Sequence, residues 1–159
     1  MMRKLMLISI FFINIYFSYQ KILIPMDENQ TNHLKAYGIA FSSLEMNNKV
    51  DWLLNFRGGS FVFDISTWLK KECLLKNVYY EELSIEDISM IYSLIEQENM
   101  ELVILDKIPK IAVYSPPDQQ PWDDAVTLAL TYAEIKYDVI FDDEVMNDQL
   151  YKYDWLHLH

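Results

Sequence analysis

KIAVYSPPDQQPWDDAVTLALTYAEI, from Lys110 to Ile135, is the stretch on which the fold turns. A short apolar run, Ile111-Ala112-Val113-Tyr114, enters a polar, Pro-rich loop from Ser115 to Asp124 and leaves as an amphipathic helix. That is a strand, a loop and a helix. In an open parallel α/β sheet, ligands bind beyond the carboxyl ends of strands, so Ser115 to Asp124 marks a functional rim.

The same alternation extends outward in both directions. Lys21 to Met26 reads as a strand, and Asn32 to Met46 as a helix with Leu34, Tyr37, Phe41 and Leu44 at helical spacing. Val50 to Phe56 reads as a second strand, broken by Gly58-Gly59 and extended by Phe61 to Phe63 beyond a bulge, ahead of a helix from Ser66 to Lys76. Val78 to Leu83 is a third strand. Ser84-Ile85-Glu86-Asp87 has the form of a capping box, and Ile88, Ile91, Tyr92 and Ile95 carry the apolar stripe toward Asn99. Leu102 to Leu105 is a short strand, and a turn around Pro109 separates two halves.

Beyond the quoted stretch, Tyr137 to Phe141 reads as a strand, Asp143 to Leu150 as a short helix and Trp155 to His159 as a strand. The expectation is therefore an α/β fold: a mainly parallel sheet with helices on both faces and right-handed crossovers. Its first half covers residues 21–106 and its second 107–159. The chain stops at His159 inside an apolar strand pattern, so the second half is expected to be incomplete, with a missing C-terminal portion.

At the other end, Arg3 and Lys4 precede a 13-residue apolar run from Leu5 to Phe17, interrupted by Ser9 and Asn14. As a helix it spans about 20 Å, short of a hydrocarbon core of roughly 30 Å. With small Ser18 near its end, the segment reads as a secretory signal over residues 1–20, placing the protein outside the cytoplasm, in the periplasm. Membrane contact is expected only through an uncleaved signal.

Removing those residues takes Arg3 and Lys4 and no acid, which moves the formal net charge from −11 to −13. The bases are scattered. A chain of this charge is not a nucleic-acid binder, which needs a basic patch. The single Cys73 lies on the apolar side of its helix and reads as a small buried hydrophobe.

If the strands run parallel, several polar groups converge on one rim. Asp27 follows the first strand, Arg57-Gly58-Gly59-Ser60 the second, and Ser115, Asp118, Gln119 and Asp123 the strand that opens the second half. Such a mixture suits a small polar or carboxylate ligand, with Arg57 holding a carboxylate in its fork and Gly58 and Gly59 letting backbone approach. No catalytic residue is assigned. His157 and His159 share a strand face, yet no spacing supplies further ligands, so neither metal nor cofactor is expected. Neither G-x-G-x-x-G nor G-x-x-x-x-G-K-[ST] occurs.

Three stretches carry a resemblance: KILIPMDENQTNHLKAYGIAF (Lys21 to Phe41), VDWLLNFRGGSF (Val50 to Phe61) and IAVYSPPDQQPWDDAVTLALTYAEI (Ile111 to Ile135). Together they resemble exported bacterial proteins labelled asparagine synthetase B. The resemblance implies a class I glutamine amidotransferase-like fold of Rossmann or flavodoxin type, with this chain as the N-terminal part of a longer protein. The label implies glutamine-hydrolysing asparagine synthesis. This chain departs from that chemistry. Position 2 is Met2 rather than a cysteine nucleophile, and Arg57-Gly58-Gly59-Ser60-Phe61-Val62 lacks the S-G-G-x-D-[ST] pyrophosphate loop. Two functions fit: an amidotransferase-like domain whose nucleophile lies in further sequence, or a noncatalytic periplasmic binding or assembly module.

Overall fold

The computed structural model describes residues 20–116 and 124–158. The leader expectation thus lies outside the described residues, apart from Gln20. Among those described, no helix is long and apolar enough to cross a membrane.

β1 (Lys21–Ile24) buries Ile22, Leu23 and Ile24 in succession. Because adjacent side chains of a strand point to opposite faces, this run must lie between two layers. α1 (His33–Glu45) and α2 (Thr67–Leu75) supply one layer, packing Ala36, Ile39, Leu69 and Cys73 against Ile22, Ile24, Phe61 and Phe63. α3 (Ile85–Gln97) supplies the other, setting Ile95 on Leu23, Leu53 and Val62. Its start is fixed by the expected capping box. Ser84 Oγ accepts from Asp87 N–H, and Asp87 Oδ2 accepts from Ser84 N–H at 2.9 Å. Ser84→Ala is expected to cost about 1 kcal/mol in urea unfolding, the usual worth of such a cap; an unchanged midpoint would show that α3 is held by packing alone.

The expectation of a mainly parallel sheet is corrected by the structure, and the cause is local. β2 (Val50–Leu53) and β3 (Ser60–Asp64) are two strands, not one strand with a bulge. Arg57, Gly58 and Gly59 take φ of 47°, 82° and 97° in the link between them. Three successive residues in the left-handed region reverse the chain, and β3 returns antiparallel to β2. β3 also pairs antiparallel with β1, so β1 and β2 run parallel to each other with β3 between them. β4 (Glu81–Leu83) joins outside β1, and β5 (Leu102–Leu105) outside β2, both antiparallel. The order β4-β1-β3-β2-β5 contains the split βαβ arrangement of ferredoxin-like domains. A Rossmann, flavodoxin or amidotransferase-like sheet is excluded for this half.

Among the described residues, parallel pairing survives only in the smaller sheet. There β6 (Ile111–Tyr114) lies between β7 (Asp138–Ile140) and β8 (Trp155–Leu158). α4 (Ala125–Ala133) connects β6 to β7 and lays Leu130 on Ile111 and Val113. α5 (Asp142–Met146) and a 3-10 turn (Gln149–Lys152) connect β7 to β8.

The two sheets are joined through α1 and α4. Gly38 meets the Ala133 carbonyl at the crossing. One residue on, Glu134 ends α4 in the left-handed conformation at φ 63°. Its carboxylate reaches Lys35 at 2.7 Å and Lys76 at 2.6 Å, tying α4 to α1 and to the end of α2. These two ammonium groups hold the Glu134 carboxyl down to about 2, from an ordinary 4.5. A carboxyl depressed by folding stabilises the protein above its unfolded pKa, and that contribution is lost as pH falls through the folded one. Stability is therefore expected to decline from pH 4.5 toward about 2, with a shallower slope in Glu134→Gln. Urea midpoints across that range test it. Since Glu134 is half exposed, salt is expected to shrink the difference.

Candidate functional site

The first group of expected rim residues does assemble, despite the antiparallel sheet. β1 and β2 point the same way, so the loop after β1 and the turn after β2 meet at one edge. Met26 N–H donates to Arg57 C=O at 3.1 Å. Arg57 Nε donates to Asp27 Oδ2 at 2.6 Å, and Nη1 donates to Glu81 Oε2 at 2.9 Å. The Glu81 contact, set against burial, raises the guanidinium pKa further, and the Arg57 hydrogen bond draws the Asp27 carboxyl below its usual range.

Two carboxylates thus face one cation. The fork expected to receive a ligand carboxylate is engaged from within, and the cluster carries a net negative charge. Gly58 is needed because a Cβ there would lie 2.4 Å from the Met26 carbonyl oxygen, besides its φ of 82°. Ser60 is fully buried, and its hydroxyl donates to Phe56 C=O at 2.9 Å. Gln30 locks the loop by donating to Pro25 C=O at 2.9 Å and accepting from Tyr79 N–H at 3.0 Å. The geometry is that of a staple between β1, the β2–β3 turn and β4.

The second group lies on the parallel sheet. Ser115 follows β6, the central strand, and its N–H donates to Ile140 C=O at 3.0 Å, so the ladder runs on past Tyr114. Alternation then puts its side chain on the face of Val113, beneath α4. Val113 pairs with His157 of β8, which places the imidazole on that same face. Asp124 caps α4, accepting from Thr127 N–H at 3.0 Å. His157 Nε2 sits 3.0 Å from Asp124 Oδ2, although the two are not aligned as a hydrogen bond.

Burial pushes the Asp124 carboxyl up. The Thr127 N–H, His157 and the Val126 N–H together outweigh it, and the group ends below its ordinary range. Among the described residues, Ser115 Oγ is buried with no hydrogen-bond partner. A buried polar atom in that condition calls for an explanation, since most are satisfied.

The expected rim residues Asp118, Gln119 and Asp123, like His159, lie outside the described residues. Ser115 is not brought into the Asp27–Arg57 cluster; it belongs to a different sheet. The approach of His157 to Asp124 was missed by sequence reading, which took one as a strand residue and the other as the end of the polar loop. The signal available was the strand pattern that the sequence shows from Trp155 to His159. Its neighbour in the sheet was not readable. Among the described residues, no group of three or more His, Cys, Asp or Glu could hold a metal ion. Cys73 is fully buried, and burial pushes its thiol up to about 12. Comparison with protein-family models, with characterised proteins and with solved structures finds no match for this chain.

Proposed function

We propose that this chain is a noncatalytic module that binds a small polar ligand at the carboxyl edge of the β7-β6-β8 sheet. The observation that carries this reading is Ser115 Oγ, buried and unpartnered at the end of the central parallel strand. That is where parallel sheets receive ligands. His157 and Asp124, on the same side of the sheet, supply the further polar contacts. Binding is favoured over covalent chemistry because burial pushes the Cys73 thiol up to about 12 and, among the described residues, Ser115 has no base in hydrogen-bond contact. The resemblance to exported proteins and the Arg3-Lys4 leader pattern support a periplasmic setting for this module.

A hydroxyl kept for a ligand destabilises the empty protein. Ser115→Ala is accordingly expected to unfold at equal or higher urea, gaining up to about 1 kcal/mol, while losing ligand. Calorimetry of wild type and Ser115→Ala against a panel of small amines, amides and carboxylates tests the reading. Absence of any binder, or equal binding by the variant, would refute it.

A further inference from the structure

The charge of the ligand is written around that same edge, an inference that rests on the proposed binding function. No Lys or Arg occurs between Lys110 and Lys136, nor between Lys136 and Lys152. Those three lysines all line one cavity of about 210 Å³ with Asp138 and Tyr153. Lys110 precedes β6, Asp138 opens β7, and Lys152 and Tyr153 precede β8, so this cavity marks the amino-terminal edge. The cations of the second half stand at the wrong end to help an anion at the carboxyl edge.

The carboxyl edge itself is acidic. Asp142, Asp143 and Glu144 follow β7, and Asp124 opens α4. Asp142 Oδ1 accepts from Tyr114 O–H, and Glu144 Oε2 accepts from Phe141 N–H. Among the described residues none of these four carboxylates is paired with Lys or Arg. The α4 N-terminus offers an anion little, because the Thr127 and Val126 N–H groups already go to Asp124. An anionic ligand would meet a carboxylate with no cation to offset it.

The acceptors, by contrast, are in place. Asp124 Oδ2 and His157 Nε2 face each other at 3.0 Å without an aligned hydrogen bond. A carboxylate offers about four lone-pair sites, so Asp124 keeps room to accept beyond the Thr127 and Val126 N–H groups and the neighbouring His157 ring. Ser115 Oγ is a further acceptor on the same face. An ammonium group has three donors and a positive charge.

We infer that the ligand carries a cationic amino group, received by Asp124 and Ser115 beside the His157 ring. The test titrates ethanolamine, acetamide and acetate separately into the protein while following the His157 ring by proton–nitrogen NMR. Asp124→Asn serves as the control variant, because Asn caps a helix as well as Asp does and the fold is retained, which circular dichroism verifies. Ethanolamine is expected to shift the His157 signals, and Asp124→Asn to weaken it by at least about tenfold, as for loss of a hydrogen bond to a charged group. A response to acetate or acetamide but not ethanolamine overturns the inference and leaves the binding site standing. An ethanolamine response unchanged in Asp124→Asn overturns it too. Silence from all three probes removes both the inference and the site.

Discussion

Gly38→Ala is expected to be among the most destabilising single substitutions available, losing about 1–3 kcal/mol or more. The sign is not obvious from sequence. Gly38 is inside α1, where alanine is normally favoured over glycine by about 1 kcal/mol. Here a Cβ would stand 1.8 Å from the Ala133 carbonyl oxygen and 2.9 Å from its carbon. Both are backbone atoms, which cannot swing aside as a side chain can. The clash exceeds the propensity gain, and α1 and α4 must part. Lys35–Glu134 and the Asn32 Nδ2 to Tyr132 Oη hydrogen bond flank this contact and should loosen with it. Urea unfolding gives the size of the loss. Hydrogen exchange gives its location: faster exchange in residues 111–158 with β1 and β3 still protected. A midpoint equal to or above wild type would show that the helices do not cross this closely.

Arg57→Ala comes next, with an expected loss of about 2 kcal/mol at neutral pH. Hydrogen bonds to charged groups are worth about 1.5–3 kcal/mol each, and partial exposure reduces that here. The larger effect is what remains after removal: Asp27 and Glu81, both previously on one guanidinium, are left facing each other. Arg57→Lys keeps a charge but not the fork, and is expected to recover only part of the loss. The pH dependence comes from Asp27, whose carboxyl is depressed below its ordinary 3.8 by the Arg57 hydrogen bond. Its contribution is present above 3.8 and lost as pH falls through the depressed value. Wild type and Arg57→Ala should therefore converge in stability below that pH. Curves that stay parallel into acid would show that the ion pairs contribute nothing.

Much of the element pattern was legible. α1, α3, β5 and β6 fall close to their expected bounds because apolar spacing and caps such as Ser84 with Asp87 act within a few residues. The direction of pairing was not. KILI in β1 and SFVF in β3 are buried on both faces, and a helix-covered strand shows the same run whether its neighbours are parallel or antiparallel. Only the residues 57–59 distinguish the two, and a Gly-Gly pair reads equally as a bulge or a reversal. The rim fared unevenly for a similar reason. Asp27 and Arg57 meet because their strands are parallel, whereas Ser115 depends on a second sheet that begins after β5. His157 and Asp124 are brought together by strand order, which no local pattern encodes.

β1 has no partner close to it in the chain. Ile22 pairs with Phe63, and Lys21 with Leu83, on strands made long after it. At synthesis rates of roughly 5–20 residues per second, several seconds separate the emergence of β1 from that of β3. During that interval the aliphatic run Ile22-Leu23-Ile24 has neither of its partner strands to pair with. Nascent-chain holdases that recognise short aliphatic segments would find one here at the very start of the domain. β1 can therefore join the larger sheet only once β3 or β4 is available to pair with it.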